Sequence, residues 1–424
     1  MNVKGIVAAL VAAGLCSLSA AADASTASLI KARQKFFGIE NVDANTGALP
    51  KNQVIFSWVS NTSFLVSIQG RVVMLDSYVT RLEVTAGRTP FTIQDLVDVQ
   101  PEAILLGHGH FDHADNAAYI AKWSGATIYA SPETCDAMQA DVTKMFNDPN
   151  AVNGGVKIVP DNKPVNCVNV VSRGSTPGAE VTHLTFLEPL ACVIGFKHMH
   201  SNAVPPDSAY PPAVFNVTVD PRDPQMYPKG TSLTPPSNPA NAVPGQISTQ
   251  TTGSGGVGGP IAMFYDFVLR GGYNFTFAWH NSTGPLKEGI APDGNWGSAI
   301  GQNVFNLLAS LPATDVEFGS ASSANTANNG HRDLVMYQQY LRPQVYYPGH
   351  MTTGTNGVGE SSTQELFYMY RAAQTNMATV QTIYKPEVHW LVDPVDYIRP
   401  IIFNPGSPRW SNPSKAAAIA QYCK

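Results

Sequence analysis

Short apolar runs separated by turn residues dominate the early part of the chain. Residues 53–59 are rich in β-branched and aromatic side chains, and residues 63–68 and 71–76 flank a Gln69-Gly70 pair. Two apolar runs joined by a two-residue turn that contains glycine are typical of a β-hairpin. This stretch therefore predicts three successive strands, of which the last two form a hairpin.

Strands and helices then alternate. The pattern predicts a helix at 93–99, a strand at 103–107, a helix at 117–123 and a strand at 126–130. The run at 103–107 is apolar throughout, as in a strand that is buried on both faces. Ser131 and Pro132 supply an N-cap and a first-turn proline for a further helix. The alternation favours an α/β fold.

The second half of the chain has the same character. It predicts strands at 181–187, 191–196 and 344–347, a hairpin formed by 263–270 and 274–280, and helices at 301–311 and 332–341. No segment recurs at a fixed period, which argues against solenoids and propellers.

A long insertion, residues 203–260, interrupts this pattern and is dense in Pro, Gly, Ser, Thr and Asn. A stretch of this length without apolar periodicity is either a functional loop, such as a lid, or disordered. Both readings stay open at this point. We predict that residues 25–424 form a single domain that carries this insertion and a C-terminal extension at 385–424.

Composition narrows the class of protein. The chain has 424 residues, of which 44% are hydrophobic and 13% charged, and its net charge is −5. This is enough apolar material for a large core. Because no stripe of Lys and Arg is present to neutralise phosphates, we expect no nucleic-acid partner.

The N-terminus resembles a secretory signal. Lys4 precedes an apolar run at 5–18, and small residues follow at 19–24, with cleavage expected after Ala22 or Ala24. The apolar run is too short and too rich in Gly and Ala for stable membrane insertion. We therefore expect residues 1–24 to be removed and the mature protein to be periplasmic or secreted.

Removal of this segment leaves four cysteines. An even number of cysteines in an exported chain predicts up to two disulfides, in any of three connectivities, with buried free thiols as the alternative. None of them forms a CxxC pair, which argues against a zinc ribbon. The four are Cys135, Cys167, Cys192 and Cys423.

The sequence HxHxDH directly follows the predicted buried strand at 103–107 and comprises His108, His110, Asp112 and His113. In an extended backbone, residues i and i+2 point the same way, so His108 and His110 can bind one metal ion. Once the chain turns into a helix, Asp112 and His113 can reach a second ion. Imidazole and carboxylate ligands favour Zn²⁺, with Fe and Mn as competitors.

This motif resembles the signature of the metallo-β-lactamase superfamily. The spacing is most similar to the ascorbate-6-phosphate lactonase-like and phosphodiesterase-like branch, and the resemblance covers 54–351 without the insertion. It implies a four-layer αββα sandwich with the metals at one edge of two sheets. Residues 72–78 resemble the strand that ends in an acidic residue beneath the metals, so Asp76 is expected to orient a metal-binding histidine.

The resemblance also implies ligands further along the chain. A histidine is expected after a strand in the middle of the chain, and His200 fits this position better than His198 because a serine follows it. Another is expected near the C-terminal strand, where His350 follows the strand at 344–347.

One expected ligand is missing. The superfamily carries an aspartate that bridges both metals after a hairpin, and Ser282 holds that position here. His280, two residues earlier, is a candidate terminal ligand in its place, with a structural role at the end of a strand as the alternative. One or two metal ions are therefore both compatible with the sequence.

Together these residues predict a zinc-dependent hydrolase that acts on a small molecule. A metal-activated water would attack an ester, lactone or phosphodiester, and Asp112 would guide the proton of that water. The alternatives are a binding protein with a degenerate site and, less favoured, redox chemistry on a di-iron site. Substrate identity and oligomeric state do not follow from the sequence.

Overall fold

A computed structural model describes most of the chain. The described residues are 26–78, 91–147, 152–153, 156–157, 159–202, 204–205, 207–209, 259–321, 331–350, 363–391 and 395–424. The predicted signal peptide and most of the predicted insertion lie outside these residues. The removal of residues 1–24 and the lid role of the insertion therefore remain predictions.

The strands are numbered in chain order. They are β1 (Val54–Ser60), β2 (Ser63–Ile68), β3 (Arg71–Leu75), β4 (Ala103–Leu105), β5 (Thr127–Ala130), β6 (Val152–Asn153), β7 (Val156–Lys157), β8 (Cys167–Asn169), β9 (Val181–Leu184), β10 (Ala191–Lys197), β11 (Met263–Leu269), β12 (Thr276–His280), β13 (Ile290–Ala291), β14 (Gly294–Asn295), β15 (Val316–Ser320), β16 (Val345–Gly349), β17 (Glu387–Val388) and β18 (Pro400–Phe403).

The α-helices are numbered in the same way. They are α1 (26–37), α2 (Ile93–Asp98), α3 (Phe111–Ala114), α4 (Ala117–Ser124), α5 (Pro132–Asn147), α6 (Ser298–Ser310), α7 (Arg332–Leu341), α8 (Thr363–Met377) and α9 (Lys415–Tyr422). Short 3₁₀ helices occur at Ile39–Asn41 and Pro408–Trp410. None of the helices among the described residues has the length and apolar character needed to cross a membrane.

Two seven-stranded sheets form the framework. The first has the order β18-β1-β2-β3-β4-β5-β8 and the second the order β17-β16-β15-β12-β11-β10-β9. Each sheet is antiparallel over part of its width and parallel over the rest, with β3-β4-β5-β8 and β12-β15-β16-β17 as the parallel halves. The extension at 385–424 supplies an edge strand to each sheet, so it is part of the framework.

The inner faces of the two sheets meet in an aromatic core. Phe56 of the first sheet stacks on Phe318 of the second with ring centroids 4.0 Å apart and meets Phe277 edge-on at 5.0 Å. The hydroxyl of Tyr265 crosses between the sheets and donates to the carbonyls of Leu106 and Tyr129. The buried phenol is thereby satisfied, as an apolar interior requires.

Helices cover the outer faces. Helices α4 and α5 pack on the first sheet, with α2 against α4, while apolar side chains of α6, α7 and α9 form a second buried cluster on the outer face of β10–β12. The αββα sandwich that the sequence implies is thus the architecture of this chain.

Local signals in the sequence correspond to the observed turns and caps. Gln69 and Gly70, between β2 and β3, both have positive φ angles, 50° and 91°, as a tight hairpin turn with the right-handed twist of its strands requires. At the start of α5, the Ser131 hydroxyl accepts a hydrogen bond from the backbone N–H of Thr134.

Two disulfides join parts of the chain that are distant in sequence. Cys135 of α5 is bonded to Cys167 of β8, and Cys192 of β10 to Cys423, directly after α9. The four cysteines that remain after the predicted cleavage are therefore all paired, and the second bond fixes the C-terminal helix to β10, next to the edge of the second sheet.

Asp266 is an acidic residue buried in an apolar layer. Its side chain extends from β11 between Phe264 and Val268 into the cluster beneath α6 and α7 and is fully buried. Among the described residues, neither of its carboxyl oxygens has a hydrogen-bond partner. Burial raises the pKa of Asp266 well above its usual range, and the nearby Asp315 carboxylate adds to this.

We therefore expect Asp266→Val to stabilise the protein, and to do so increasingly as the pH rises. The folded chain retains a proton on Asp266 that the unfolded chain releases above about pH 4, so the contribution of Asp266 to wild-type stability should fall by about 1.4 kcal/mol per pH unit until the buried carboxyl ionises. The variant lacks this loss. Urea unfolding of both proteins at pH 5, 6 and 7 measures the difference, and a difference independent of pH would contradict the assignment.

Candidate metal centre

The predicted site residues converge at one edge of the sandwich, together with Asn281. They lie in the segments that follow the carboxyl ends of strands in both sheets. The carboxyl ends of parallel strands lie at the same edge of a sheet, so these segments are close together. These segments follow β3 (Asp76), β4 (His108, His110, Asp112, His113), β10 (His200), β12 (Asn281, Ser282) and β16 (His350).

Three imidazoles meet in a first group. The Nε2 atom of His108 lies 3.0 Å from Nδ1 of His110 and 3.2 Å from Nε2 of His200. The ligand atoms of all three lie within 4.8 Å of one another, so together they are a possible metal site. His108 is buried, and the other two are partly exposed at the surface of the group.

Hydrogen bonds on the far side of two rings fix which nitrogen carries the proton. Nδ1 of His200 lies 2.6 Å from the carbonyl oxygen of Ser201, which only accepts, so the proton is on Nδ1. Nδ1 of His108 donates to the side-chain oxygen of Asn281 at 2.7 Å. The Nε2 atoms of His108 and His200 therefore direct lone pairs at each other across 3.2 Å.

Burial keeps these rings neutral. Removal from water lowers the pKa of His108 well below its usual value, that of His110 to about 4 and that of His200 to about 3. The converging lone pairs of neutral His108 and His200 repel each other unless a cation lies between them. Ligand nitrogens about 2.0–2.1 Å from a tetrahedral Zn²⁺ are about 3.3 Å apart, so the observed separations fit such an ion.

A second group lies beside the first. The carboxylate atom Oδ2 of Asp112 lies 3.3 Å from Nε2 of His113 and 3.4 Å from Nε2 of His350. Burial by itself raises the pKa of Asp112, but the adjacent His113 and His350 rings hold it well below its usual range. An ionised carboxylate with two imidazole nitrogens in reach is a donor set that Zn²⁺ accepts.

Asp76 lies beneath both groups and is fully buried. Its Oδ1 accepts from the backbone N–H of Gly107, and its Oδ2 accepts from Nδ1 of His113, the hydroxyl of Thr62 and the amide of Asn281. Because Asp76 accepts a hydrogen bond from the Nδ1–H of His113, Nε2 of that ring carries the lone pair and faces Asp112. Such a contact is expected if Asp76 orients a metal-binding His113, a role that stays a prediction.

The two uncertain candidates, His280 and Ser282, are outside both groups. His280 lies on the outer face of the second sheet, where Nδ1 bonds the carbonyl of Ser282 at 2.9 Å and Nε2 bonds Glu317 at 2.8 Å. With both ring nitrogens engaged, His280 has no nitrogen to offer a metal in this arrangement. The Ser282 hydroxyl instead accepts the backbone N–H of Ser201 and so holds the loop that carries His200.

His198 is also outside the groups. Its Nδ1 lies 3.0 Å from the hydroxyl of Tyr337 on α7, so the ring faces the helical layer. The structure thus places His200, the candidate that the sequence favours, beside His108, and it places His198 elsewhere.

Three polar residues that the sequence analysis did not single out also support the site. Asn281 joins His108 to Asp76. Asn61 and Thr62, in the turn between β1 and β2, contact the second group, where the Asn61 amide donates to the backbone and side-chain oxygens of Asp112. Polar residues directly at strand ends indicate such supporting roles in the sequence. Only the packing of the two sheets, however, brings these three residues next to the motif.

A family model confirms the resemblance. Residues 57–184, which run from within β1 to the end of β9 and contain the HxHxDH motif, match the model described as the metallo-β-lactamase superfamily. This segment of the chain is therefore similar to the metallo-β-lactamase superfamily. Which branch it belongs to stays a prediction.

Curated relatives match over shorter stretches. A protein of Pyrobaculum neutrophilum named UPF0173 metal-dependent hydrolase is 26% identical over 102 residues, 24% of this chain and 43% of the relative. A protein of the same name from Exiguobacterium sp. is 39% identical over 66 residues, 16% of this chain and 26% of the relative. The chain thus spans less than half the length of these relatives.

Distant structural likenesses have also been found. A metallo hydrolase from Ignicoccus hospitalis is 12% identical, with a TM-score of 0.42 over 83% of this chain and 98% of its own. A diiron β-hydroxylase from Streptomyces venezuelae is 11% identical, with a TM-score of 0.40 over 84% of this chain and 54% of its own.

Proposed function

We propose that this protein is a metal-dependent hydrolase with a small-molecule substrate. The observation that carries the proposal is the convergence of neutral His108, His110 and His200, whose arrangement fits a cation. The names of the curated relatives, metal-dependent hydrolases, support the same class of activity.

Zinc is the metal we propose, because imidazole and carboxylate donors with tetrahedral spacing favour it over Fe or Mn. His108, His110 and His200 would hold one ion, and Asp112, His113 and His350 would hold or support a second. When bound, the metal supplies an activated water and polarises the oxygen of the bond under attack.

The residues of the chain would then orient the reaction. The ionised Asp112 can accept a hydrogen bond from the attacking water and guide its proton, since its carboxylate contacts His113 and His350 and lies within 4.8 Å of a ring nitrogen of His108 in the first group. Asn61 fixes this carboxylate through its amide. Asp76 and the Ser201 carbonyl hold His113 and His200 in the tautomers that leave Nε2 available.

For the substrate we propose an ester, lactone or phosphodiester, supported by the similarity of the motif to the lactonase-like and phosphodiesterase-like branch. For the location we propose the periplasm or the exterior of the cell. The two disulfides support this, since such bonds persist in oxidising compartments.

Metal removal tests this function. The purified protein should hydrolyse at least one member of a panel of aryl esters, lactones and bis-aryl phosphodiesters. Activity should disappear after dialysis against a chelator and return on addition of Zn²⁺. Hydrolysis that persists unchanged in the chelated protein would contradict the proposal. Full zinc binding without turnover of any panel member would favour the binding protein that the missing bridging aspartate suggests.

A further inference from the structure

We propose that the Asn281 side chain is a positioning residue that couples the two metal groups. The inference rests on the proposed function, because it concerns the ligands of the same centre. Asn281 directly precedes Ser282, the residue at the position where the superfamily's bridging aspartate is expected. The Ser282 hydroxyl instead accepts a hydrogen bond from the loop that carries His200.

The Asn281 amide makes two directed hydrogen bonds in a fully buried position. Its oxygen accepts from Nδ1 of His108 at 2.7 Å, and its nitrogen donates to Oδ2 of Asp76 at 2.9 Å. The two bonds fix each other, because an amide rotated by 180° would direct N–H at the His108 N–H and oxygen at the Asp76 carboxylate.

The same Asp76 oxygen accepts the Nδ1 proton of His113 at 2.8 Å. A continuous hydrogen-bonded path therefore runs from His108 in the first group through Asn281 and Asp76 to His113 in the second. The superfamily's aspartate would bridge the metals directly, whereas this path connects their ligands from behind. A change in the position of one ring is thereby transmitted to the other.

Gly107, directly before the motif, leaves the space that the Asn281 amide occupies. A Cβ atom added to Gly107 would lie 2.2 Å from Cγ of Asn281 and 2.3–2.4 Å from the amide nitrogen and oxygen, far inside van der Waals contact. Gly107 does not have a positive φ angle, so a side chain is excluded by the amide and not by the backbone conformation.

Asn281→Ala should lower zinc affinity about 10- to 100-fold, the usual effect of removing the partner that orients a ligand. Competition with a chromophoric chelator measures the affinity. The visible spectrum of the Co²⁺-substituted protein reports ligand geometry and should also change. Asn281→Ser, whose short hydroxyl cannot span His108 and Asp76, serves as a second variant if the alanine variant does not fold, and should show the same loss.

Gly107→Ala provides an independent test in a double-mutant cycle. Alone it should lower zinc affinity to a similar extent by displacing the amide. In the Asn281→Ala background it should have little further effect, since the clashing atoms are gone. Additive losses would mean that Gly107 acts separately and would count against the proposal.

Thr276→Val is the matched control. Thr276 begins β12, and its buried hydroxyl donates to the Ala313 carbonyl at 2.7 Å, at the other end of the strand from His280 and Asn281. This variant should lose stability and keep wild-type zinc affinity. The inference is wrong if Asn281→Ala binds zinc within twofold of wild type with an unchanged Co²⁺ spectrum. If the wild type itself binds no zinc, the proposed function fails instead.

Discussion

His110→Ala is expected to reduce kcat/KM by about a thousandfold or more and to leave the protein folded. The ring supplies the third nitrogen of the first group, 3.0 Å from His108. A metal that polarises its substrate contributes several kcal/mol to the transition state, and each 1.4 kcal/mol corresponds to about a tenfold change in rate. The imidazole is partly exposed, so its loss leaves no large buried cavity.

The control for this experiment is another histidine with no link to the group. His389 is exposed, stacks on Tyr347 and contacts Glu387. His389→Ala should keep wild-type turnover and metal content. Circular dichroism and thermal unfolding establish that both variants fold. Turnover of His110→Ala close to that of wild type would show that the first group is not the reaction centre.

Removing the Cys192–Cys423 disulfide should cost more stability than any other change considered. The bond closes a loop with a sequence separation of 231, whereas Cys135 and Cys167 are separated by 32. If the bond acts by restricting the unfolded chain, the double alanine variant should lose about 5 kcal/mol of unfolding free energy, against about 4 kcal/mol for the shorter loop.

Polar contacts hold the C-terminal segment in addition to this bond. The Arg270 guanidinium donates to the Cys423 carbonyl, and the Lys415 ammonium contacts Asp315 in a buried ion pair. We therefore expect Cys192→Ala with Cys423→Ala to fold at low temperature with a lower denaturation midpoint. Urea titrations of both double variants and the wild type make the comparison. Equal losses from the two disulfides would contradict the loop-length account.

Much of the fold follows from local pattern. The strands β1–β5, the β2–β3 and β11–β12 hairpins and helix α7 arise from apolar runs, turn residues and caps that are legible in the sequence. Strand β15 was not predicted, because its Val316–Ser320 segment carries a buried glutamate among apolar residues. Glu317 is accommodated by its bonds to His280 and Gln338, partners 37 and 21 positions away in the chain.

Some residues of the candidate site likewise follow from the sequence, whereas the roles of others depend on tertiary contacts. His108, His110, Asp112 and His113 are adjacent in sequence, so their spacing alone indicates a metal centre. His280 was a plausible ligand by position, yet Glu317 and the Ser282 carbonyl occupy its ring nitrogens. The role of Asn281 does not follow from the sequence, because it depends on Asp76 and His108, which belong to the opposite sheet and become its neighbours only when the sandwich forms.

The most direct test of the account is the metal content of the mature protein. Inductively coupled plasma mass spectrometry of wild type, purified in the presence of zinc and freed of loosely bound ions, should give at least one zinc per chain. The His110→Ala variant should retain less. Absence of bound metal in the correctly folded wild type would contradict the claim that His108, His110 and His200 form a metal centre.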